Sequence, residues 1–419
     1  MIDIIPHLFI QVKVFMNRII LHIDMNSYFA TVEQQANSQL RGRPVAVLGS
    51  KAKRTIIVAS SIEAKRLGIK TASDLSEAIR ICPGLVVVHG EPRKYADVTR
   101  RFINIFESYT DKVEIFSIDE AFLDVTNTAQ MYGGVEMIAR KIKKRIRAEI
   151  GTWISCSVGI GPNKFLAKTG SNLEKPDGLI IIDEANKDEV LLNLPLEDYC
   201  GIGRAISKRL NVLGVHNTKK LRDYPINLLK REFGVICAWK LKQMASGLDS
   251  SPVTPWREQK AAKSFSCSRT LNKDVLDKKE MRTQILFLFE KVAKKLRDDG
   301  YWAKEVGLWL RFKDFSGYGK SMRIGYWCCD GLDFYNYTMK IFDQIQIRQP
   351  VRAIGVFTGS VQLNKNVPLS FLTSDIDNEK VLKVCDEINN RFGEDTITRG
   401  KIVNSRLKEI VSGMGRKKF

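Results

Sequence analysis

Phe116-Ser117-Ile118-Asp119-Glu120-Ala121-Phe122-Leu123-Asp124-Val125 is the stretch on which the reading of this chain turns. Phe116, Ile118, Phe122 and Leu123 are strand-forming apolar residues, and no Gly or Pro interrupts them. Asp119 and Glu120 sit side by side within that run. Burying two carboxylates in a sheet is costly unless something neutralises them, and oxygen ligands suit a hard divalent cation. The plain alternative is an edge strand whose acids face water. Neighbours on a regular strand point to opposite faces, so joint ligation demands a strand end or a bulge. A second apolar run, Arg18-Ile19-Ile20-Leu21-His22-Ile23-Asp24-Met25-Asn26-Ser27, delivers Asp24 just ahead of a turn-like Asn-Ser. Two strands that end in carboxylates are what a two-metal phosphoryl-transfer site requires, with shared acids bridging ions about 3.5–4 Å apart.

The 419 residues are enough for two to four domains with cores of their own. A hydrophobic content of 44% and a mean hydropathy of −0.17 describe a soluble globular chain. The net charge of +20 and pI near 9.5, with Lys and Arg spread throughout, point to a polyanionic partner, most simply nucleic acid. The 8 cysteines fall singly except for Cys328-Cys329, without metal-ligand spacing, which argues against zinc and for a reducing cytosol. Residues 1–15 are apolar, but Pro6 and Lys13 interrupt them and they lack a basic start and a small-residue cleavage site. No run approaches the roughly 18 apolar residues of a membrane span. Met16 stands directly before the first strand, so the stretch before it reads as a peripheral extension.

Along the chain, Tyr28–Glu33 opens a helix, and short strands follow at Pro44–Leu48, Thr55–Ser60 and Leu85–Val88. Helices are expected over Glu63–Gly68, Ser76–Cys82 and Lys94–Tyr109. Val135, Ile138, Ala139, Ile142, Ile146 and Ile150 keep helical spacing beneath a basic outer face. Ile154–Ile160 is a strand. To about residue 183 the alternation lacks tidy βαβ repetition, which favours an α+β layer; 187–247 reads as nearly all helical. Asp249-Ser-Ser-Pro-Val-Thr-Pro255 is the best linker candidate. Beyond it, Lys263–Leu271 and Val306–Phe312 alternate as half-buried strands around a helix over 279–298. Val306, Leu308, Leu310 and Phe312 face one way, and Trp309, Arg311 and Lys313 the other.

Asp24-Met-Asn-Ser-Tyr-Phe-Ala, Ser117-Ile-Asp-Glu-Ala-Phe-Leu-Asp, Ser157-Val-Gly-Ile-Gly-Pro-Asn-Lys-Phe-Leu-Ala-Lys and Gly201-Ile-Gly occur in this order. The set resembles the Y-family translesion DNA polymerases, the DinB (polymerase IV) and UmuC group, from about Asn17 to Gly393. The resemblance implies an α+β multidomain, right-hand polymerase with a ferredoxin-like palm, small fingers, a helical thumb with a helix-hairpin-helix, and an α+β little finger. The corresponding boundaries are an extension over 1–16, palm over 17–27 and 92–183, fingers over 28–91, thumb over 184–250, linker over 251–261, little finger over 262–412 and a basic tail over 413–419.

By the same resemblance, Asp24 and Asp119 are metal-bridging acids, Glu120 is the carboxylate nearest the primer 3′-hydroxyl, and the Met25 carbonyl completes the nucleotide-side metal. The implied ions are two Mg²⁺, replaceable by Mn²⁺. Asp124 is expected to be structural. Tyr28 and Phe29 border the nucleotide, Phe29 as the steric gate that rejects a 2′-hydroxyl, and Lys65 and Lys168 meet the triphosphate. Gly201, Gly203 and Arg204 form the helix-hairpin-helix, whose backbone amides approach a DNA phosphate. Lys263, Arg269, Arg311, Lys313 and Arg323 track the duplex backbone.

The fingers depart from the DinB pattern Asn-Tyr-x-Ala-Arg. They read Ser61-Ile62-Glu63-Ala64-Lys65, with Ile62 unable to hydrogen-bond and Lys65 a point charge in place of a fork. Relatives bind a sliding clamp through a Gln-Leu-x-Leu-Phe-like peptide; the nearest match, Val367-Pro368-Leu369-Ser370-Phe371-Leu372, lacks the Gln. The function implied is low-fidelity, template-directed DNA synthesis for lesion bypass and repair, by a cytoplasmic, nucleoid-associated monomer acting on primer-template DNA and dNTPs. A catalytically inactive DNA-binding scaffold would lose one of the three carboxylates, and none is lost. A cyclase or nuclease on a similar palm has no use for the hairpin and the basic C-terminal domain.

Overall fold

The structure is a computed structural model that describes residues 18–49, 56–258, 261–367 and 373–403. The extension over 1–16, the clamp-like peptide at Pro368–Leu372 and the tail over 413–419 lie outside the described residues. The chain divides into two compact units on either side of residues 259–260.

Unit one carries eight strands among its described residues: β1 (Ile20–Met25), β2 (Val45–Leu48), β3 (Ile57–Ser60), β4 (Val86–His89), β5 (Val113–Ile115), β6 (Glu120–Asp124), β7 (Cys156–Gly161) and β8 (Leu179–Ile181). Five of them form one sheet in the order β5-β6-β1-β7-β8, with β1 antiparallel to both of its neighbours. Period-two alternation divides β1 between two buried faces. Leu21, Ile23 and Met25 join Phe102, Phe106, Ile138 and Ile142 of helices Pro92–Glu107 and Val135–Arg145 in one core. Ile20, His22 and Asp24 share the opposite face with Phe122 and Glu120, as the register Asp24↔Glu120 and His22↔Phe122 dictates. Helix Lys164–Leu173 covers that face. It reaches it because β7 presents glycines there: a methyl on Gly159 would meet the Ala167 carbonyl oxygen at 2.0 Å and the Ser171 amide at 2.3 Å. Helix backbone therefore lies directly on strand backbone.

The remaining strands form a small sheet in the order β3-β2-β4 around Ala46, Leu48, Ile57, Ala64, Ile69 and Ala78. Helices from Lys187–Asn193 to Val235–Ala245 form a third cluster around Tyr199, Leu210, Leu221 and Leu241. Within it Gly201 adopts φ +105°, a conformation open to glycine and strained for other residues, and Gly203 caps helix Arg204–Val212.

The linker candidate over 249–255 is held against unit one. Arg18 donates to the carbonyls of Ser251 and Asp249 at 2.9 and 3.0 Å, and the Thr254 amide donates to Glu114 at 2.8 Å. Val253 packs beside Ile20, Phe122 and Ala167, while the Trp256 indole donates to Glu107 at 2.9 Å. This segment is strapped to the sheet. Two prolines and sparse apolar content marked it as a linker, yet Val253 is buried and Trp256 packs against the sheet's core.

Unit two is an antiparallel sheet of β9 (Phe265–Val275), β10 (Tyr301–Phe312), β11 (Gly317–Cys328) and β12 (Val351–Leu363), ordered β11-β10-β12-β9. Helices Lys278–Asp298 and Gly331–Phe342 pack with Val306, Leu308, Leu310, Ile354 and Val356 on one face. On the other, Trp309 lies over Gly355 and Phe357 over Gly307, where added methyls would strike the rings at 2.1 and 2.0 Å. Arg311 belongs to this face. Arg269 does not: it pairs with Ile354, which pairs with Leu310, so it stands on the helix-covered side. That corrects its place among the expected DNA contacts. Its phase with Phe265 and Leu271 was the legible signal.

Candidate active site

The hairpin between β5 and β6 sets the acidic pair. The amides of Phe116 and Ser117 both donate to the Glu120 carbonyl, at 3.1 and 3.2 Å, so Asp119 falls in the turn and Glu120 opens the strand. This is the strand end that joint ligation demanded. The Asp119 carbonyl accepts from the Met25 amide at 2.9 Å, bringing the acid to the end of β1. Asp24 and Asp119 then line one cleft of about 250 Å³ with Met25, Ser27, Phe29, Lys65 and Lys175. Ser27, at φ 48°, holds a left-handed turn at the cleft edge, a strained conformation for a residue with a side chain.

Electrostatics divide the acids. Burial pushes the Asp119 carboxyl up, and Asp24 and Glu120 push it the same way, against the hydrogen bond from Ser117. Burial alone would raise Glu120 as well. The hydrogen bond from His22 at 3.0 Å and the ammonium of Lys168, in contact with the carboxylate, outweigh that and hold Glu120 down at about 2. His22 is itself lowered, by burial first and by Lys168, against the pull of Glu120. Asp24 is paired with Lys175 at 2.8 Å. Among the described residues no group of three or more His, Cys, Asp or Glu side chains is drawn together closely enough to hold a metal ion. The donor set nevertheless fits a hard cation: every side-chain ligand on offer is a carboxylate oxygen, and the mutual repulsion at Asp119 is what a bound cation would relieve.

Lys168 was expected at the triphosphate. Its ammonium lies on Glu120 and over the Phe116 ring at 4.8 Å, and neither Lys168 nor Glu120 is among the residues that line the cleft. The cleft holds Lys65 and Lys175 instead. Lys65 is exposed at the cleft edge, and partial burial there, with the neighbouring Lys175, lowers its pKa against the pull of Asp24 and Asp119. Lys175 was missed by sequence reading. It precedes Pro176-Asp177-Gly178, and its turn is anchored by buried Asn26, whose Oδ1 accepts from the Asp177 amide at 2.9 Å and from Ser155 Oγ at 3.1 Å. The Lys-Pro-Asp-Gly turn just after helix Lys164–Leu173 was the available signal.

Phe29 lies stacked on Tyr95, with ring centroids 4.1 Å apart and planes 13° from parallel. The Tyr95 hydroxyl donates to buried Glu33 at 2.7 Å, and Lys94 donates to the same carboxylate at 2.9 Å. The Phe29 wall is therefore backed by a fixed plate. Tyr28 borders the cleft, but its ring is buried and its hydroxyl is engaged by the Tyr95 carbonyl at 2.7 Å and by Thr99 at 2.8 Å, which removes that hydroxyl from nucleotide binding. Asp124, at the far end of β6, accepts from the Thr126 amide and hydroxyl at 3.0 and 2.5 Å. All eight cysteines are free thiols, and among the described residues no helix is long and apolar enough to cross a membrane. Arg204 and Lys263 are exposed, each in its own unit.

Comparison with known proteins gives concordant results. Residues 23–172 match the model of the impB/mucB/samB family, and residues 262–371 match that of the family's C-terminal domain. The chain is 35% identical over 382 residues to the DNA polymerase IV of Pelotomaculum thermopropionicum, covering 91% of this chain and 94% of that one. It is 33% identical over 392 residues to the DNA polymerase IV of Bacillus velezensis, covering 92% and 93%. Among solved structures, it matches a Y-family DNA polymerase chimera of Dbh and Dpo4 with a TM-score of 0.70 at 28% identity, over 83% of this chain and 100% of that one.

Proposed function

The chain belongs to the impB/mucB/samB family and is a Y-family, DNA-directed DNA polymerase of the translesion class, and from that premise we propose how its residues divide the work. Membership implies dependence on divalent metal; the ion proposed is Mg²⁺, with Mn²⁺ able to replace it. Asp24, Asp119, Glu120 and the Met25 carbonyl are the groups that would hold it. Bound there, such ions supply Lewis acidity, acidifying the primer 3′-hydroxyl and neutralising the triphosphate.

Everything else falls to the chain. Lys65 and Lys175, drawn to the same cleft as Asp24 and Asp119, receive the triphosphate as two point charges rather than as a bidentate fork. Phe29 excludes a 2′-hydroxyl, and it cannot retreat because Tyr95 behind it is tied to Glu33. Val58, Ala59, Ser60 and Thr71 add small side chains to the cleft wall, a loose gauge that suits tolerance of distorted base pairs and low fidelity. Gly201, Gly203 and Arg204 take a backbone phosphate of the primer-template, and Lys263 and Arg311 meet the duplex from unit two. In this scheme residues 17–27 and 92–183 are the palm, 28–91 the fingers, 184–250 the thumb and 262–412 the little finger, while 251–258 is a strap on the palm rather than an open linker. The protein is proposed to act as a monomer in the cytoplasm, on nucleoid DNA. A sliding clamp docked at Pro368–Leu372 is tested by deleting that segment: clamp-stimulated extension is lost and basal extension survives.

The observation that carries this assignment is the convergence of Asp24, Asp119, Lys65 and Lys175 on one cleft walled by Phe29. The test is primer extension on an undamaged template with Mg²⁺ and single dNTPs. Wild type extends, Asp119→Ala does not, and Phe29→Ala gains ribonucleotide incorporation. Wild-type protein that binds primer-template and never extends it sinks the assignment.

A further inference from the structure

His22 lies at the middle of β1, fully enclosed, in a place where Leu or Phe would pack without a polar penalty. Its ring rests against Phe122, with centroids 4.5 Å apart. Nδ1 is 2.7 Å from Ser171 Oγ, and Nε2 is 3.0 Å from Glu120 Oε2. A neutral imidazole has one donor and one acceptor, and a carboxylate only accepts. Nε2–H must therefore donate to Glu120. The Ser171 hydroxyl, which also reaches the Lys168 carbonyl at 2.9 Å, holds the other ring nitrogen and fixes the ring plane. Lys168 lands on the same oxygen, Oε2, so Oε1 is the acceptor left for a ligand. Ser171 and Lys168 are held in reach because Gly159 lets their helix sit directly on the strand.

We propose that His22, oriented by Ser171, is a positioning residue for Glu120: it fixes the carboxylate rotamer and selects which oxygen faces the primer-side cation. This rests on the assignment of Glu120 as a metal-holding group. Partners that orient a metal ligand in this way are typically worth about 10–100-fold in metal affinity or activity.

The test has two arms, run on wild type, His22→Phe, His22→Gln and Ser171→Ala. In the first, Mn²⁺ is titrated into protein bound to primer-template with a dideoxy-terminated primer, and binding is read by electron paramagnetic resonance, with no turnover. In the second, single-turnover extension is measured against dNTP concentration. His22→Phe is expected to weaken Mn²⁺ binding and slow the maximal rate about 10–100-fold, with KM for dNTP unchanged. His22→Gln places an amide N–H near the Nε2 position and restores most of both. Ser171→Ala frees the ring to flip and shows the same split, smaller. Wild-type Mn²⁺ binding and rate in His22→Phe overturn the proposal. So does a His22→Gln that behaves as His22→Phe while both melt with wild type. If His22→Phe does not fold, Ser171→Ala decides: wild-type values in both arms overturn it. Wild-type protein that never extends a primer defeats the polymerase assignment instead, and the Mn²⁺ arm still reports on the brace.

Discussion

In the catalytic sheet a methyl at Gly159 would come within 2.0 Å of the Ala167 carbonyl oxygen; in the C-terminal sheet one at Gly355 would come within 2.1 Å of the Trp309 ring. The obstacles are equally close but differ in kind. At Gly159 a strand and a helix touch along their backbones, and the helix brings Lys168 and Ser171 to Glu120 and His22. At Gly355 an aromatic ring closes onto the sheet face opposite helices Lys278–Asp298 and Gly331–Phe342. The closed sheet uses its missing side chain to place chemistry, and the open sheet uses its own to make a smooth contact surface. Each also handles charge accordingly: the first compensates its charges partner by partner, whereas the second leaves Arg311 outward.

The largest effect should separate the two glycines directly. Gly159→Ala must push backbone from backbone, costing about 3 kcal/mol, while at Gly355→Ala the indole can swing aside for about 1 kcal/mol. Urea unfolding of each variant checks this, and equal costs would break the comparison.

A pH series sharpens it on the closed side. The Glu120 carboxyl is held down to about 2 by His22 and Lys168 against its own burial, so its protonation is opposed in the folded state. With chelator present, wild type should be more stable than Glu120→Gln by about 2 kcal/mol near pH 6. That margin is complete above the ordinary glutamate value of about 4.3 and fades as pH falls toward about 2. A margin that stays level through acid would mean that Glu120 is not held as described.

Next come the lysines. Lys175→Met is expected to raise KM for dNTP about tenfold, the worth of one charge-assisted hydrogen bond, while Lys168→Met leaves KM unchanged and slows the maximal rate. The reverse pattern in steady-state titrations would return Lys168 to the triphosphate.

The smallest effect belongs to the open sheet. Arg311→Ala should lower primer-template affinity a few-fold and reduce the slope of log K against log salt by about 1, whereas Arg269→Ala, on the helix-covered side, should leave the slope alone. Fluorescence anisotropy at several salt concentrations distinguishes them.

Strands β1 and β6 and the positions of their acids were legible because both depend on local pattern: period-two apolar runs, and carboxylates placed at the run ends. The roles expected of Asp24, Asp119 and Glu120 came from the ordered motifs around them, since an acidic pair at a strand end reads equally well as an edge facing water. Lys168 and Lys175 sit seven positions apart on the chain, and which of them meets the cleft is decided by how deeply one helix seats against β7. That depth is set by Gly159, whose importance lies in an atom it lacks. Val253 and Trp256 were hidden for a related reason: single apolar residues among prolines carry no periodicity, and the holes they fill are made by distant segments. Arg269 was readable, since alternation with Phe265 and Leu271 assigns its face.

The contact of helix Lys164–Leu173 with β7 has a consequence in time as well as in space. Ordinary helix–sheet packing is cushioned by side chains that hop between rotamers, and such cushions are where local opening begins. Between Gly159 and Gly170 there is no cushion; a methyl on Gly170 would already stand 3.2 Å from the Gly159 Cα. Strand and helix must separate as whole bodies or not at all. The amides of β7 and of this helix should thus be among the slowest in the chain to exchange with solvent, and the groups around Glu120 ride on the part of the molecule that opens last.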